Sequence, residues 1–97
     1  MDIFEVDVYL KTDDKRKLFR NRLSRIEGQI RGINAMVEQE SDCREVLRQL
    51  IAVRASIQST TRFYLESVVE ECNNPLNEDR LSQQEITAEL LELIASS

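Results

Sequence analysis

From Cys43 to Asn74 the chain contains neither glycine nor proline, and that interval governs what the rest can fold into. Val46, Leu50, Val53, Ile57, Tyr64 and Val68 recur through it at helical spacing, and Asn73-Asn74-Pro75 ends the run. The pattern predicts one helix from Cys43 to Cys72 or Asn73. A helix of about thirty residues is too long for a compact monomer of 97 residues, so it needs a partner to lie against.

The flanking segments are helical as well. From about Asp14 to Gln39, the residues Phe19, Leu23, Ile26, Ile30, Ile33 and Val37 form an apolar seam of the kind helices use to pack along each other. Gly28 and Gly32 are one turn apart, which lowers helix propensity but permits close approach of another backbone. Asp42 or Ser41 is a natural cap for the second helix, and Asp42 with Glu45 has capping-box spacing. Ser82 and Glu85 have the same spacing and predict a third helix to about Ala95, with Ile86, Leu90, Leu93 and Ile94 inward. The opening "DIFEVDVYL" alternates with period two and reads as a strand-like arm. The expectation is therefore an all-α, three-helix protomer over residues 13–97, preceded by a short extended arm over residues 1–12.

Function classes narrow from the same residues. The chain opens on no signal peptide and holds no apolar run long enough to span a membrane, so a cytoplasmic protein is expected. Thiols are kept reduced there, and a cysteine is more often reactive or metal-binding than a staple. Residues 11–32 hold Lys11, Lys15, Arg16, Lys17, Arg20, Arg22, Arg25 and Arg31 against Asp13, Asp14 and Glu27, a net of +5; since the whole chain carries −5, the remainder carries −10. That asymmetry points to one basic surface and an anionic partner, the plain alternative being a solvated helix face.

The two cysteines, Cys43 and Cys72, stand 29 residues apart, and no histidine occurs anywhere. Along one helix that is about 43 Å, so within a chain the thiols share neither a metal nor a disulfide. At about 100° per residue they return to nearly the same face. Two such helices packed antiparallel about an axis near Ile57 and Gln58 would bring each Cys43 to the other chain's Cys72. Coincidence, or a role as buried small hydrophobes, remains open on spacing alone. Cys43 also falls in the first helical turn, where the helix dipole favours thiolate, although Asp42 and Glu45 oppose it.

"NRLSRIEGQIRGI", "DCREVLRQLIAVRASI" and "ESVVEEC" together resemble the CsoR/RcnR family of bacterial repressors over about residues 14–95. The resemblance implies an antiparallel helical dimer, usually assembled as a dimer of dimers. It also implies operator DNA binding without a helix-turn-helix, released when an inducer acts on the cysteine site. Copper-sensing members carry Cys…His…Cys, and Cys43 and Cys72 match the thiolates. Val68 stands at the histidine position and has no donor atom. Histidine-rich nickel and cobalt sensors do not fit, and formaldehyde sensors use an N-terminal proline that is absent. The branch with both cysteines and no copper histidine looks like the CstR-type persulfide sensors, in which sulfane sulfur links the two thiols between chains.

On that resemblance Cys43 and Cys72 are the sensing thiols, with no cofactor, and Val68 lines their site. Arg22 matches the family's first-helix basic residue, with Lys15, Arg16 and Arg25 extending the patch and Arg48 and Arg54 adding to it from the second helix. Glu89 aligns with an acid that transmits the state of the site. The partners expected are operator DNA, further copies of the chain in a homodimer or homotetramer, and sulfane sulfur as inducer. A Cu(I) sensor with a two-thiolate site, a dithiol enzyme and a purely structural oligomer are the rivals. No CxxC and no Gly-rich cofactor loop supports the enzyme.

Overall fold

The computed structural model describes residues 9–72 and 80–96. Three helices follow in order, α1 (Asp13–Glu38), α2 (Cys43–Cys72) and α3 (Arg80–Ala95), and both α1 and α3 pack on α2. No strand occurs among the described residues. Most of the strand-like "DIFEVDVYL" lies outside them, and its last residue, Leu10, is buried in coil.

The two long helices form a hairpin whose turn is closed by backbone hydrogen bonds. At the end of α1 the Ser41 N–H donates to the Met36 carbonyl at 2.9 Å and the Glu40 N–H to the Val37 carbonyl at 3.1 Å. Those two bonds make a Schellman motif, whose left-handed position is ordinarily glycine. Here it is Glu40, at φ 55°. Glu40→Gly is therefore expected to raise stability by about 0.5–1 kcal/mol, read as a higher urea midpoint at unchanged slope. An unchanged or lower midpoint would show that the Glu40 side chain contributes more than its backbone costs.

Packing inside one chain is thin. Among the described residues Ile26, Val53, Val68 and Leu10 are the buried apolar ones, and the Phe19 and Tyr64 rings meet at 4.7 Å between centroids. The expected α1 seam is only partly satisfied. Ile26 is buried, whereas Leu23, Ile30 and Val37 remain exposed. On α2 Leu47, Leu50, Ile51 and Ile57 are exposed too. Leu47, Leu50 and Ile57 share the flank of α2 on which a 100° step per residue places both cysteines. The radius of gyration is 17.5 Å, against about 12.5 Å for a compact chain of this length. A protomer this elongated leaves unburied the apolar surface that its sequence supplies.

Three local expectations are corrected. The third helix is already formed at Arg80, so Ser82 lies inside it rather than capping it, and Leu93 and Ile94 are exposed instead of inward. A Cβ added at Gly32 would meet nothing within 4 Å and one at Gly28 only the Arg31 side chain, so no second backbone approaches them closely among the described residues. The Asp42–Glu45 pair does not close as a capping box. Asp42 caps alone, and the Glu45 carboxylate receives the Arg48 guanidinium.

Candidate functional site

The thiol at the start of α2 is placed by its cap. Asp42 Oδ1 accepts the Arg44 N–H at 2.8 Å, and its backbone carbonyl accepts the Glu45 and Val46 N–H groups. Arg44 folds back so that Nε and Nη2 donate to the two Asp42 oxygens at 3.2 and 3.1 Å. This guanidinium, with the Arg44 N–H, holds the Asp42 carboxyl below the usual carboxylate range. The Arg44 charge is therefore answered by Asp42. Cys43 is an exposed free thiol at the edge of an open depression of about 490 Å³. Val37, Val46, Leu47 and Leu50 make its surroundings largely apolar.

Cys72 is the last residue of the same unbroken helix. The structure does not bring the two thiols of one chain together, as their spacing requires. Val68, one turn before Cys72, is 3% exposed and packed within the protomer.

The end of α2 also holds the start of α1. Glu71 Oε1 accepts the Thr12 N–H at 2.7 Å and Oε2 the Lys11 N–H at 2.9 Å. Burial pushes the Glu71 carboxyl up, but the Thr12 hydroxyl, the Lys11 and Thr12 N–H groups and the Lys15 charge outweigh it, so the net shift is downward. Beside it, Lys15 Nζ is 2.8 Å from Glu70.

That last contact divides the basic stripe expected on α1. Lys15 is paired with Glu70 and three-quarters buried, which removes it from the free cations. Arg22 and Arg25 line a groove between α1 and α2 with Gln29, Ser56, Ser59 and Thr60. Arg22 Nη1 donates to Ser59 Oγ at 3.3 Å, and its guanidinium lies 4.5 Å from the Phe63 ring centroid. Arg16 is elsewhere, lining a second depression with Lys17, Arg20, Asn21, Ser24 and Asp13. Arg48 is paired with Glu45. Arg54 is exposed on the thiol-bearing flank of α2, and Glu89 is half-buried on α3. Lys17 and Arg20 are further cations beside the expected patch. Helical projection carries the signal, since Lys17 falls opposite the apolar seam and Arg20 about 100° to its side, both away from α2-facing positions such as Ile26.

The described residues thus form an all-α protomer with a cysteine at each end of its longest helix and cations concentrated on the neighbouring α1. Residues 14–96 match the family model described as metal-sensitive transcriptional repressor, and the chain belongs to that family, which is one of repressors and not of enzymes. It is 39% identical over 62 residues to the copper-sensing transcriptional repressor CsoR of Bacillus subtilis, covering 64% of this chain and 61% of that one. It is 37% identical over 54 residues to the copper-sensing repressor RicR of Mycobacterium tuberculosis, covering 56% of each. Against the copper-sensing repressor CsoR of Mycobacterium ulcerans it is 36% identical over 59 residues, 61% of this chain and 50% of the relative. The matches thus span between half and about three-fifths of those relatives. Among the described residues no helix is long and apolar enough to cross a membrane.

Proposed function

We propose that this protein is a thiol-based repressor of a reducing compartment that binds operator DNA as a homodimer or homotetramer. It lets go when sulfane sulfur links Cys43 to Cys72 of the partner subunit. One observation carries the reading: the two cysteines bracket a single continuous helix, so they react with one another only between chains. The exposed apolar flank between them supplies the contact surface.

The chemistry balances without a further oxidant. The Cys43 thiolate attacks the terminal sulfur of an organic persulfide RSSH and expels RS⁻, leaving Cys43 as a persulfide. The Cys72 thiolate of the partner subunit then attacks the inner sulfur, forms the disulfide and expels HS⁻. Two thiols and one RSSH thus give one disulfide, one RSH and one H₂S. When both cysteines are first persulfidated, the same attack yields a trisulfide and H₂S.

A second reading, a Cu(I) sensor, is favoured by the copper-sensing roles of the relatives. Cys43 and Cys72 would supply two thiolates, and buried Val68 offers no third donor. Intact mass after anaerobic treatment with glutathione persulfide separates the two. Covalent dimers, some retaining an extra sulfur, support the sulfur reading. Unmodified monomers that bind Cu(I) tightly replace it with the second.

For DNA, cations without an acidic partner among the described residues are the ones free to neutralise phosphate, which selects Arg22, Arg25 and Arg16 over Lys15 and Arg48. Arg22→Ala should weaken binding to a duplex selected by the reduced protein at least about tenfold, and lower the salt slope by about one. Arg48→Ala should change it by less than about threefold. Helical content should stay unchanged in both. Equal effects of the two substitutions would overturn the assignment.

A further inference from the structure

We propose that Glu71 is a positioning residue that couples the thiol end of α2 to the start of α1, an inference resting on the sulfur-sensing reading above. Thr12 is the cap residue of α1, yet its side chain makes no cap hydrogen bond to its own helix. Its N–H and that of Lys11 are satisfied instead by one carboxylate from a residue 59 and 60 positions away. The Thr12 hydroxyl bonds the same carboxylate. The clamp is reinforced on both sides. Lys15, in the first turn of α1, is tied to Glu70 at 2.8 Å, and Leu10, just before the clamped amides, is only 5% exposed.

The position of this clamp gives it its function. Glu71 immediately precedes Cys72 in the last turn of α2. A bond from Cys72 to another chain constrains the backbone of that turn, and Glu71 moves with it. Three donors converging on two oxygens tolerate little displacement, since hydrogen bonds weaken steeply with misalignment. Loss of the clamp leaves the N–H groups of Lys11 and Thr12 without their carboxylate and loosens the first turn of α1. Arg16, Lys17 and Arg20 follow within the next two turns. Glu71 thus converts a covalent event at one helix end into a change in how cations are presented at the start of another.

The test follows the Lys11 and Thr12 amides by NMR hydrogen exchange in the full chain, reduced and then crosslinked with glutathione persulfide. Crosslinking is expected to accelerate both at least about tenfold while Val53, in the middle of α2, stays slow. Unchanged Lys11 and Thr12 rates overturn the proposal. In Glu71→Gln, which keeps one acceptor and replaces the other by a donor, both amides should already exchange fast in the reduced protein. Its affinity for the selected duplex should fall at least about fivefold, towards that of the crosslinked wild type, with the yield of crosslink unaltered. Slow amides or wild-type affinity in that variant overturn the coupling even where the crosslink forms. Absence of any crosslink in the wild type overturns the sulfur reading, and this inference with it.

Discussion

Cys43→Ser and Cys72→Ser are each expected to abolish the covalent dimer proposed to form when the wild-type chain meets glutathione persulfide, and each should leave a repressor that no longer releases its duplex. The effect is all-or-none because the bond needs one sulfur from each residue. Their products differ, however. Cys72→Ser retains exposed Cys43 and should accumulate as a monomeric persulfide, one sulfur atom heavier. Mixing the two single variants should restore crosslinking in part, since Cys43 of one chain meets Cys72 of the other. Crosslinked dimers in either variant alone would exclude the pairing, and failure of the mixture to crosslink would exclude its geometry.

Ile57→Asp should be the most disruptive change available on the surface of the protomer. Ile57 is 47% exposed in the single chain, so within one chain the substitution costs little, about 0.5 kcal/mol or less. Ile57 and Gln58 also mark the midpoint between the two cysteines, where an antiparallel pair of α2 helices would cross on its own axis. There the residue meets its own copy, and two buried carboxylates would face one another without a cation. That costs several kcal/mol, more than a small interface tolerates. Sedimentation should report monomers, with helical content largely kept and crosslinking lost. A variant that still assembles and crosslinks would place the contact on another face of the molecule.

The parts of this fold most legible in the sequence are those with local causes. The start of α2 is legible because Asp42 caps it, whereas Asn73-Asn74-Pro75, on which its end was expected, lie outside the described residues. The separation of the thiols follows from helix length alone. The partners of individual cations were not readable in that way. Lys15 and Arg22 stand one heptad apart and look equivalent in sequence, yet one meets Glu70 and the other Ser59 and Phe63. Those contacts depend on how α1 lies across α2, which no spacing within α1 specifies. The start of α3 was misplaced because Ser82 and Glu85 reproduce a capping pattern inside a helix that has already begun. Leu93 and Ile94 have helical periodicity, but about half of each side chain stays exposed in the single chain.

The unbroken α2 acts as a ruler that keeps a chain from reacting with itself. A newly made protomer holds both reactive groups and yet has no intramolecular route to the oxidised product, so it cannot be trapped in a self-closed form before it assembles. Under the proposed chemistry the response would obey two conditions at once: the chemical signal must arrive, and a second copy must already be in place. Below the concentration at which copies associate, the thiols would be modified singly and reversibly; above it, the same dose would write a covalent record.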